Sequence, residues 1–198
     1  GTAIFSGANT YSGATAVDGG ILRMDGSHIG GDAYTVAGGF LTLGNSGLIN
    51  ASSITAKDAG TVNGSGTIAC PVIVQNGGIL GGTLTVNDMA TVRNSGIIAP
   101  GNYAAGNLSV WDLTLEAGAI VRIYSASNNI VQVTNTFTTT SSGSNYIDVV
   151  TVPGLGLHPL IKYNGTISGG GFGSLALLSL PHGVTAVLPN NTPNQSVD

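Results

Sequence analysis

Asn76-Gly77-Gly78-Ile79-Leu80 and Asn94-Ser95-Gly96-Ile97-Ile98 are two copies of one pattern, in which a short polar turn ending in Gly leads into an apolar strand. The pattern occurs seven times, with a marker glycine at positions 20, 39, 60, 78, 96, 118 and 143. Successive markers are therefore separated by about 20 residues, and a recurrence of this length indicates a solenoid.

Each interval between two markers has room for three short strands. After Gly78 the sequence predicts strands at 79–81, 83–86 and 90–92, with a turn at Asn87-Asp88 before the last of them. Apolar residues alternate with small or polar ones in these segments, which is typical of one-sided strands. A β-sandwich would show turns every 8–12 residues without the longer period. The sequence therefore predicts an all-β fold, a right-handed parallel β-helix with about 20 residues per rung.

The composition fits this fold and excludes several others. Glycine supplies 32 of 198 residues and charged residues only 7%, against roughly 25% in an ordinary soluble domain. The glycines follow no three-residue period, which excludes collagen. The net charge is −4 and the five basic residues are scattered singly, so no nucleic-acid partner is expected. No signal peptide or membrane-spanning apolar run is recognised, and we expect the chain to be part of a longer protein.

The regular pattern predicts two regions. Residues 1–125 are expected to form regular β-helix rungs, and residues 126–198 a distorted C-terminal part of the helix or a capping region, truncated from a longer chain. A Ser/Thr-rich stretch at 138–144 and a Pro/Gly-rich stretch at 152–159 interrupt the second region. A further strand is expected to start at 196–198.

No catalytic, cofactor-binding or metal-binding residue is assigned from the sequence. The nine acidic residues lie mostly at predicted turns, where Asp supports backbone geometry. Asp112 and Glu116 are four residues apart at a strand end, which leaves a paired-carboxylate hydrolase as an alternative. A polysaccharide-acting β-helix enzyme, with acids clustered on one face, remains an alternative on the same ground.

Histidine and cysteine give no metal-binding pattern. His28, His158 and His182 are far apart and lie in predicted loops, and Cys70 reads as a buried small residue. We therefore expect no cofactor and no metal.

The aromatic residues allow two interpretations. Trp111 and the six tyrosines could form a contact surface for carbohydrate or protein, or they could cap and stack within the coil, which is the more common role. The tyrosines are Tyr11, Tyr34, Tyr103, Tyr124, Tyr146 and Tyr163.

The N-terminal segment Phe5-Ser6-Gly7-Ala8-Asn9-Thr10-Tyr11-Ser12-Gly13-Ala14-Thr15-Ala16-Val17-Asp18-Gly19-Gly20-Ile21-Leu22 resembles the passenger-associated transport repeat of bacterial autotransporters, the type V secreted proteins. Stretches within residues 64–119 resemble the next module of such passengers. The segment 160–169, which reads Leu-Ile-Lys-Tyr-Asn-Gly-Thr-Ile-Ser-Gly, resembles a strand pair near their C-terminal end. The chain departs from the family at Cys70-Pro71, where a small-residue strand entry is usual.

The resemblance implies a β-helix passenger that is displayed on the bacterial cell surface or secreted. Its implied role is that of a structural or adhesive stalk, through adhesion, self-association or host contact, with C-terminal rungs that assist folding during export. The implied partners are an outer-membrane β-barrel downstream in the parent chain, a host cell-surface protein or glycan, and further copies of the chain. A scaffold for a toxin or protease passenger is an alternative that the same resemblance leaves open.

Overall fold

The computed structural model describes residues 1–101, 105–124, 129–151, 154 and 156–198, so Tyr103 and the predicted boundary at 125/126 lie outside the described residues. The described chain is built from short strands and two three-residue 3-10 turns, Phe172–Ser174 and Thr192–Asn194. The strands of the first half are β1 (Thr2–Phe5), β2 (Ala8–Asn9), β3 (Thr15–Val17), β4 (Ile21–Met24), β5 (Ser27–Ile29), β6 (Tyr34–Ala37), β7 (Phe40–Leu43), β8 (Leu48–Asn50), β9 (Ile54–Lys57), β10 (Thr61–Gly64), β11 (Thr67–Ile68), β12 (Val72–Val74) and β13 (Ile79–Gly82). Those of the second half are β14 (Thr85–Val92), β15 (Ile97–Pro100), β16 (Leu108–Leu115), β17 (Ile120–Ile123), β18 (Val131–Val133), β19 (Phe137–Thr139), β20 (Asn145–Val149), β21 (Ile161–Lys162), β22 (Ile167–Gly169), β23 (Leu175–Ser179), β24 (Asn190–Asn191) and β25 (Ser196–Val197).

The strands stack into three parallel faces. Face 1 contains nine strands in the order β1-β4-β7-β10-β13-β15-β17-β20-β23. Face 2 runs β2-β5-β8-β11-β14-β16-β18-β21, and face 3 runs β3-β6-β9-β12-β14-β16-β19-β22. Strands β14 and β16 belong to both faces, because their first halves pair on face 2 and their second halves on face 3. The predicted parallel β-helix is confirmed.

The coil length follows the glycine markers closely. Successive register partners on face 1 begin at Thr2, Ile21, Phe40, Thr61, Ile79, Ile97, Ile120, Tyr146 and Ala176. Five of the seven markers stand immediately before a face 1 strand, and the other two lie shortly before one. The markers therefore identify the corner between face 3 and face 1.

At Gly60, Gly78 and Gly96 the marker must be glycine because neighbouring coils approach too closely for a side chain. A Cβ atom on Gly60, Gly78 or Gly96 would lie 2.1, 2.2 or 2.3 Å from a backbone carbonyl oxygen of the preceding coil. The residues before these glycines also hydrogen-bond from coil to coil, as in Gly77 N to Ser95 O at 2.9 Å. The corner is thus a backbone ladder that leaves no room for a Cβ.

The core consists of inward-facing aliphatic columns. On face 1, in-register side chains from successive coils form a column that is fully buried except for Leu22, which is 7% exposed. Each such side chain contributes roughly 1.5–3 kcal/mol of hydrophobic stabilisation. The members of the column are Leu22, Leu41, Val62, Leu80, Ile98, Val121 and Ile147.

One of two local predictions is wrong. Asn87 and Asp88 do not form a turn between strands, because β14 continues through them with a register shift between Val86 and Met89. The strand expected from residue 196 is confirmed: Ser196 and Val197 form β25, which pairs antiparallel with β21 and β24. Antiparallel pairing there satisfies the backbone groups of the last face 2 strand.

The coils become longer toward the C-terminus. On face 1, Ile79 is in register with Ile97, whereas Ile120 is in register with Tyr146, and Tyr146 with Ala176. The face 1 strands of these longer coils still pair in parallel, with one register shift between Ile147 and Asp148. The division of the chain into regions 1–125 and 126–198 stays a prediction.

Candidate functional site

The N-terminal motif attaches the first coil to the second through Asn9. The Asn9 side-chain amide donates to Gly7 O at 3.0 Å and to Ser27 O at 3.1 Å, so one side chain bridges β2 and β5. An amide can donate two hydrogen bonds at once, which a hydroxyl of Ser or Thr cannot do. This explains why the motif carries Asn at that position.

The same motif supplies Tyr11 to a buried hydrogen-bond network with His28 and Tyr34. His28 Nε2 lies 2.8 Å from the carbonyl oxygen of Tyr11, which can only accept, so Nε2 carries the proton. His28 Nδ1 then accepts from the Tyr34 hydroxyl at 2.6 Å. Tyr34 in turn accepts from the Tyr11 hydroxyl at 2.7 Å, and the rings of Tyr11 and His28 stack with centroids 4.1 Å apart.

This network corrects the prediction that His28 lies in a loop. His28 is fully buried in β5, because its two ring nitrogens both find partners and the Tyr11 ring covers it. Burial also raises the pKa of Tyr34 above its ordinary value, with the Tyr11 hydroxyl adding to the effect. Both ring nitrogens of His28 have hydrogen-bond partners, so the network connects the first two coils and leaves no His28 nitrogen available to accept a proton from a ligand.

The acidic residues weighed as a catalytic pair have separate partners. Asp112 Oδ1 accepts from Asn135 Nδ2 at 2.8 Å and from the Thr136 backbone N–H at 2.9 Å. Glu116 follows the last residue of β16, and its Oε1 lies 3.5 Å from Arg93 Nε. Each acid therefore stabilises a contact between neighbouring coils, and nothing in this arrangement favours the paired-carboxylate alternative.

Arg122 and Asp148 form an ion pair that the sequence did not predict. Arg122 Nε donates to Asp148 Oδ2 at 2.7 Å across β17 and β20, and Ser179 on β23 donates to the other carboxylate oxygen. Burial alone would lower the pKa of Arg122, but the hydrogen bond to Asp148 holds it above its usual value. The three side chains tie together the coils that carry the longest connections.

Trp111 marks an exposed corner between face 2 and face 3. Two residues of β14, Asn87 and Asp88, stand opposite Trp111 alone, which makes a β-bulge at this point. The Trp111 side chain is 51% exposed and Met89 on the neighbouring coil is 43% exposed. We call the group Asn87, Met89, Trp111, Asp112 and Asn135 the Trp111 corner. It is a half-exposed aromatic platform with amide and carboxylate groups beside it.

The described tyrosines fit stacking within the coil better than a contact surface for carbohydrate or protein. Tyr34 and Tyr163 are buried within the coil and Tyr146 is half-buried, whereas Tyr11 is 36% exposed while its hydroxyl bonds to Thr15 and Tyr34. Trp111 is therefore the aromatic side chain that best fits a contact surface.

Burial and loop placement were predicted correctly for several other residues. Cys70 is a free, buried thiol, and burial raises its pKa. His158 and His182 lie outside the strands. In the described ranges, no group of three or more His, Cys, Asp or Glu side chains is close enough to hold a metal ion.

A cavity of about 400 Å³ lies at the C-terminal end of the coil, under the segment 183–189. Its walls are mainly aliphatic, with Leu160, Leu177 and Leu188 among them, and its polar side chains include His158 and Asp198. Leu160 belongs to the buried core, and Leu177 and Leu188 pack against it. The cavity is thus an end of the apolar core.

No helix in the part of the chain that the structure describes has the length and apolar character needed to cross a membrane. Residues 1–24 match the family model of the passenger-associated-transport-repeat. No curated protein and no solved structure gives a significant match to the chain. The matched segment contains the Asn9 and Tyr11 contacts described above. This repeat and the parallel β-solenoid support an autotransporter passenger stalk, which implies a secreted or surface-displayed protein.

Proposed function

We propose that the chain is an adhesive stalk segment of an autotransporter passenger, displayed on the bacterial surface or released from it. The observation that carries the proposal is the match at residues 1–24, because its motif residues are the ones that join the first coil to the second. The low charge and the in-register aliphatic columns support a mechanical role, since they let each coil present a complete edge to the next.

Stacking of this kind also supports a role in export. Each coil that forms outside the membrane gives the next segment a strand edge on which to pair, so folding can draw the chain outward without ATP. The partner for this step would be an outer-membrane β-barrel of the parent chain. The C-terminal coils, held together by Arg122 and Asp148, would form first as the chain emerges.

Surface display can be tested by fusing the chain to a type V β-barrel and treating intact cells with proteinase K. We expect the protease to reach the chain on intact cells. A matched pair of variants, Gly78→Ala and Gly19→Ala, separates folding from sequence change: the first should slow export and the second should not, because only Gly78 lies against the preceding coil. A chain that stays protected from protease in intact cells would contradict the proposal.

Adhesion and self-association are tested separately. Beads coated with the chain should bind host epithelial cells more than uncoated beads, and sedimentation should show an increase in mass with concentration if copies associate. If the beads bind no cells and the chain stays monomeric at high concentration, the adhesive part of the proposal fails and the stalk role remains.

A further inference from the structure

We propose that the Trp111 corner binds a neutral glycan, with one pyranose ring stacked on the Trp111 indole and its hydroxyls bonded to Asn87 and Asn135. The inference rests on the proposed adhesive function and deepens it by naming a site and a ligand class. The evidence for this site is the exposure of Trp111, the hydrogen bonding of the amide and carboxylate groups beside it, and the charge of the corner.

Trp111 is exposed in a way that its neighbours on the same strand are not. Val110 and Leu113 are buried, whereas Trp111 is 51% exposed at the point where β16 passes from face 2 to face 3. Bulges re-aim side chains, and the bulge in β14 lies directly opposite Trp111. An indole offers a flat apolar ring that matches the C–H face of a sugar, and it loses little conformational freedom on binding.

The polar groups needed to recognise sugar hydroxyls lie on both sides of the indole. The following coil contributes Asn135, whose amide nitrogen is held by Asp112 Oδ1 at 2.8 Å. Within the described residues, the Asn135 amide oxygen and the second oxygen of Asp112 take no hydrogen bond, so they remain acceptors for a ligand. The preceding coil contributes the exposed amide of Asn87. Amides both donate and accept, as sugar hydroxyls do.

The charge of the corner selects against acidic sugars. The corner positions of four successive coils are 69–71, 87–89, 111–112 and 134–136, and they contain two carboxylates, Asp88 and Asp112, but no Lys, Arg or His. A sialic or uronic acid would therefore meet like charge without a compensating cation. A neutral pyranose meets no such repulsion.

A row of hydroxyls extends the corner along face 3. Thr114 and Thr138 are half-buried and in register on successive coils, and the Thr138 hydroxyl lies 2.8 Å from that of Ser168 on the next coil. Thr114 is three residues from Trp111, a distance of roughly 10 Å along the strand. This suits a short oligosaccharide better than a single sugar.

Trp111 is the chain's single tryptophan, so its fluorescence reports binding at this site directly. The chain would be titrated with maltotriose, cellotriose, chitotriose, lactose and mannotriose, and with 3′-sialyllactose as the acidic probe. We expect at least one neutral sugar to give a saturable emission shift and to protect Trp111 from acrylamide quenching. Sialyllactose should bind at least tenfold more weakly than that sugar.

Variants then assign the binding to the corner. On beads that carry the best neutral sugar, Trp111→Ala should lower affinity at least tenfold, and Asn135→Ala several-fold. Phe40→Ala is the matched control, because Phe40 is an exposed aromatic residue (45%) on face 1, away from the corner. Circular dichroism of each variant confirms that it is folded, and a second substitution, Trp111→Phe, keeps an aromatic ring and should restore part of the affinity.

Three results would overturn the inference: no saturable shift with any neutral sugar, tighter binding of sialyllactose, or unchanged affinity in folded Trp111→Ala. These failures are distinct from failure of the proposed function. If folded Trp111→Ala keeps its affinity for the sugar and beads coated with it still bind cells as the unsubstituted chain does, adhesion stands and the glycan site at Trp111 is wrong.

Discussion

Gly78 shows how a single residue sets the distance between coils. It has no positive φ, so its role is not conformational freedom but the absence of a Cβ atom next to the Ala56 carbonyl. The residue type was visible in the sequence as a repeat marker, but its physical reason was not. That reason is a contact between the backbones of two successive coils.

Gly78→Ala should destabilise the protein by about 1–3 kcal/mol, because the new Cβ would lie 2.2 Å from the Ala56 carbonyl oxygen and the coils must move apart. Urea unfolding followed by circular dichroism measures the change. Gly19→Ala is the control, since a Cβ at that position would have nothing within 4 Å, and it should change stability by no more than about 0.5 kcal/mol. Equal effects in the two variants would contradict the close-packing explanation.

Cys70 should make the protein less stable at alkaline pH. Burial raises the pKa of the Cys70 thiol in the folded state above the unfolded value of about 8.5. The contribution of the protonated thiol to the free energy of unfolding is therefore complete below the unfolded pKa, and it is lost as the pH rises through the folded pKa. Between about pH 8 and about pH 10, the urea midpoint should fall less steeply in Cys70→Ala than in the unsubstituted chain. Parallel slopes would show that the thiol does not ionise on unfolding in this range.

At the scale of the element, the long strands β14 and β16 determine which side chains are exposed to solvent at the corner between faces 2 and 3. In most coils separate strands form these two faces, but these two strands continue around the corner. The prediction of a turn at Asn87-Asp88 is wrong, because Asn and Asp favour turns by local chemistry but here lie inside a strand that pairs on both sides of them. In the structure Val86 and Met89 on either side of them pair with β16, so the strand continues and the extra residue forms a bulge.

The partly buried Arg122–Asp148 pair should contribute more to the free energy of unfolding than the exposed Arg23–Asp25 pair. The side chains are 27% and 12% exposed, and Arg122→Ala should cost about 1.5–3 kcal/mol, the range for a hydrogen bond to a charged group. Arg23→Ala breaks the pair with Asp25, where the side chains are 51% and 32% exposed, and should cost about 0–1 kcal/mol. Urea unfolding of both variants tests the ranking, and a larger loss in Arg23→Ala would reverse it.

At the scale of the whole molecule, stability should be greatest in the middle of the stack. A coil in the middle pairs on both sides, whereas a terminal coil pairs on one, and repeat proteins derive much of their stability from such neighbour contacts. Hydrogen exchange followed by mass spectrometry should therefore find the slowest amides in β10, β13 and β15, and faster exchange in β2 and β24. Uniform protection from end to end would instead show that the stack unfolds as one unit.

The sequence by itself determined the parallel coil, its period and the position of one corner. These depend on local turn chemistry and on the alternation of apolar and polar residues within short strands. Both signals recur often along the chain, so the sequence alone is enough to recognise them. The motif at residues 5–22 was also readable, and the family match covers it.

Only the tertiary structure decided which side chains meet across coils. His28 is buried although its neighbours are loop formers, Asp112 bonds to Asn135 rather than approaching Glu116, and Trp111 is exposed beside a bulge. Each of these depends on the register between segments that lie one coil apart in the chain, and a small change in coil length alters that register. The glycine markers fix where a coil begins, but the packing of neighbouring coils fixes what its surface presents.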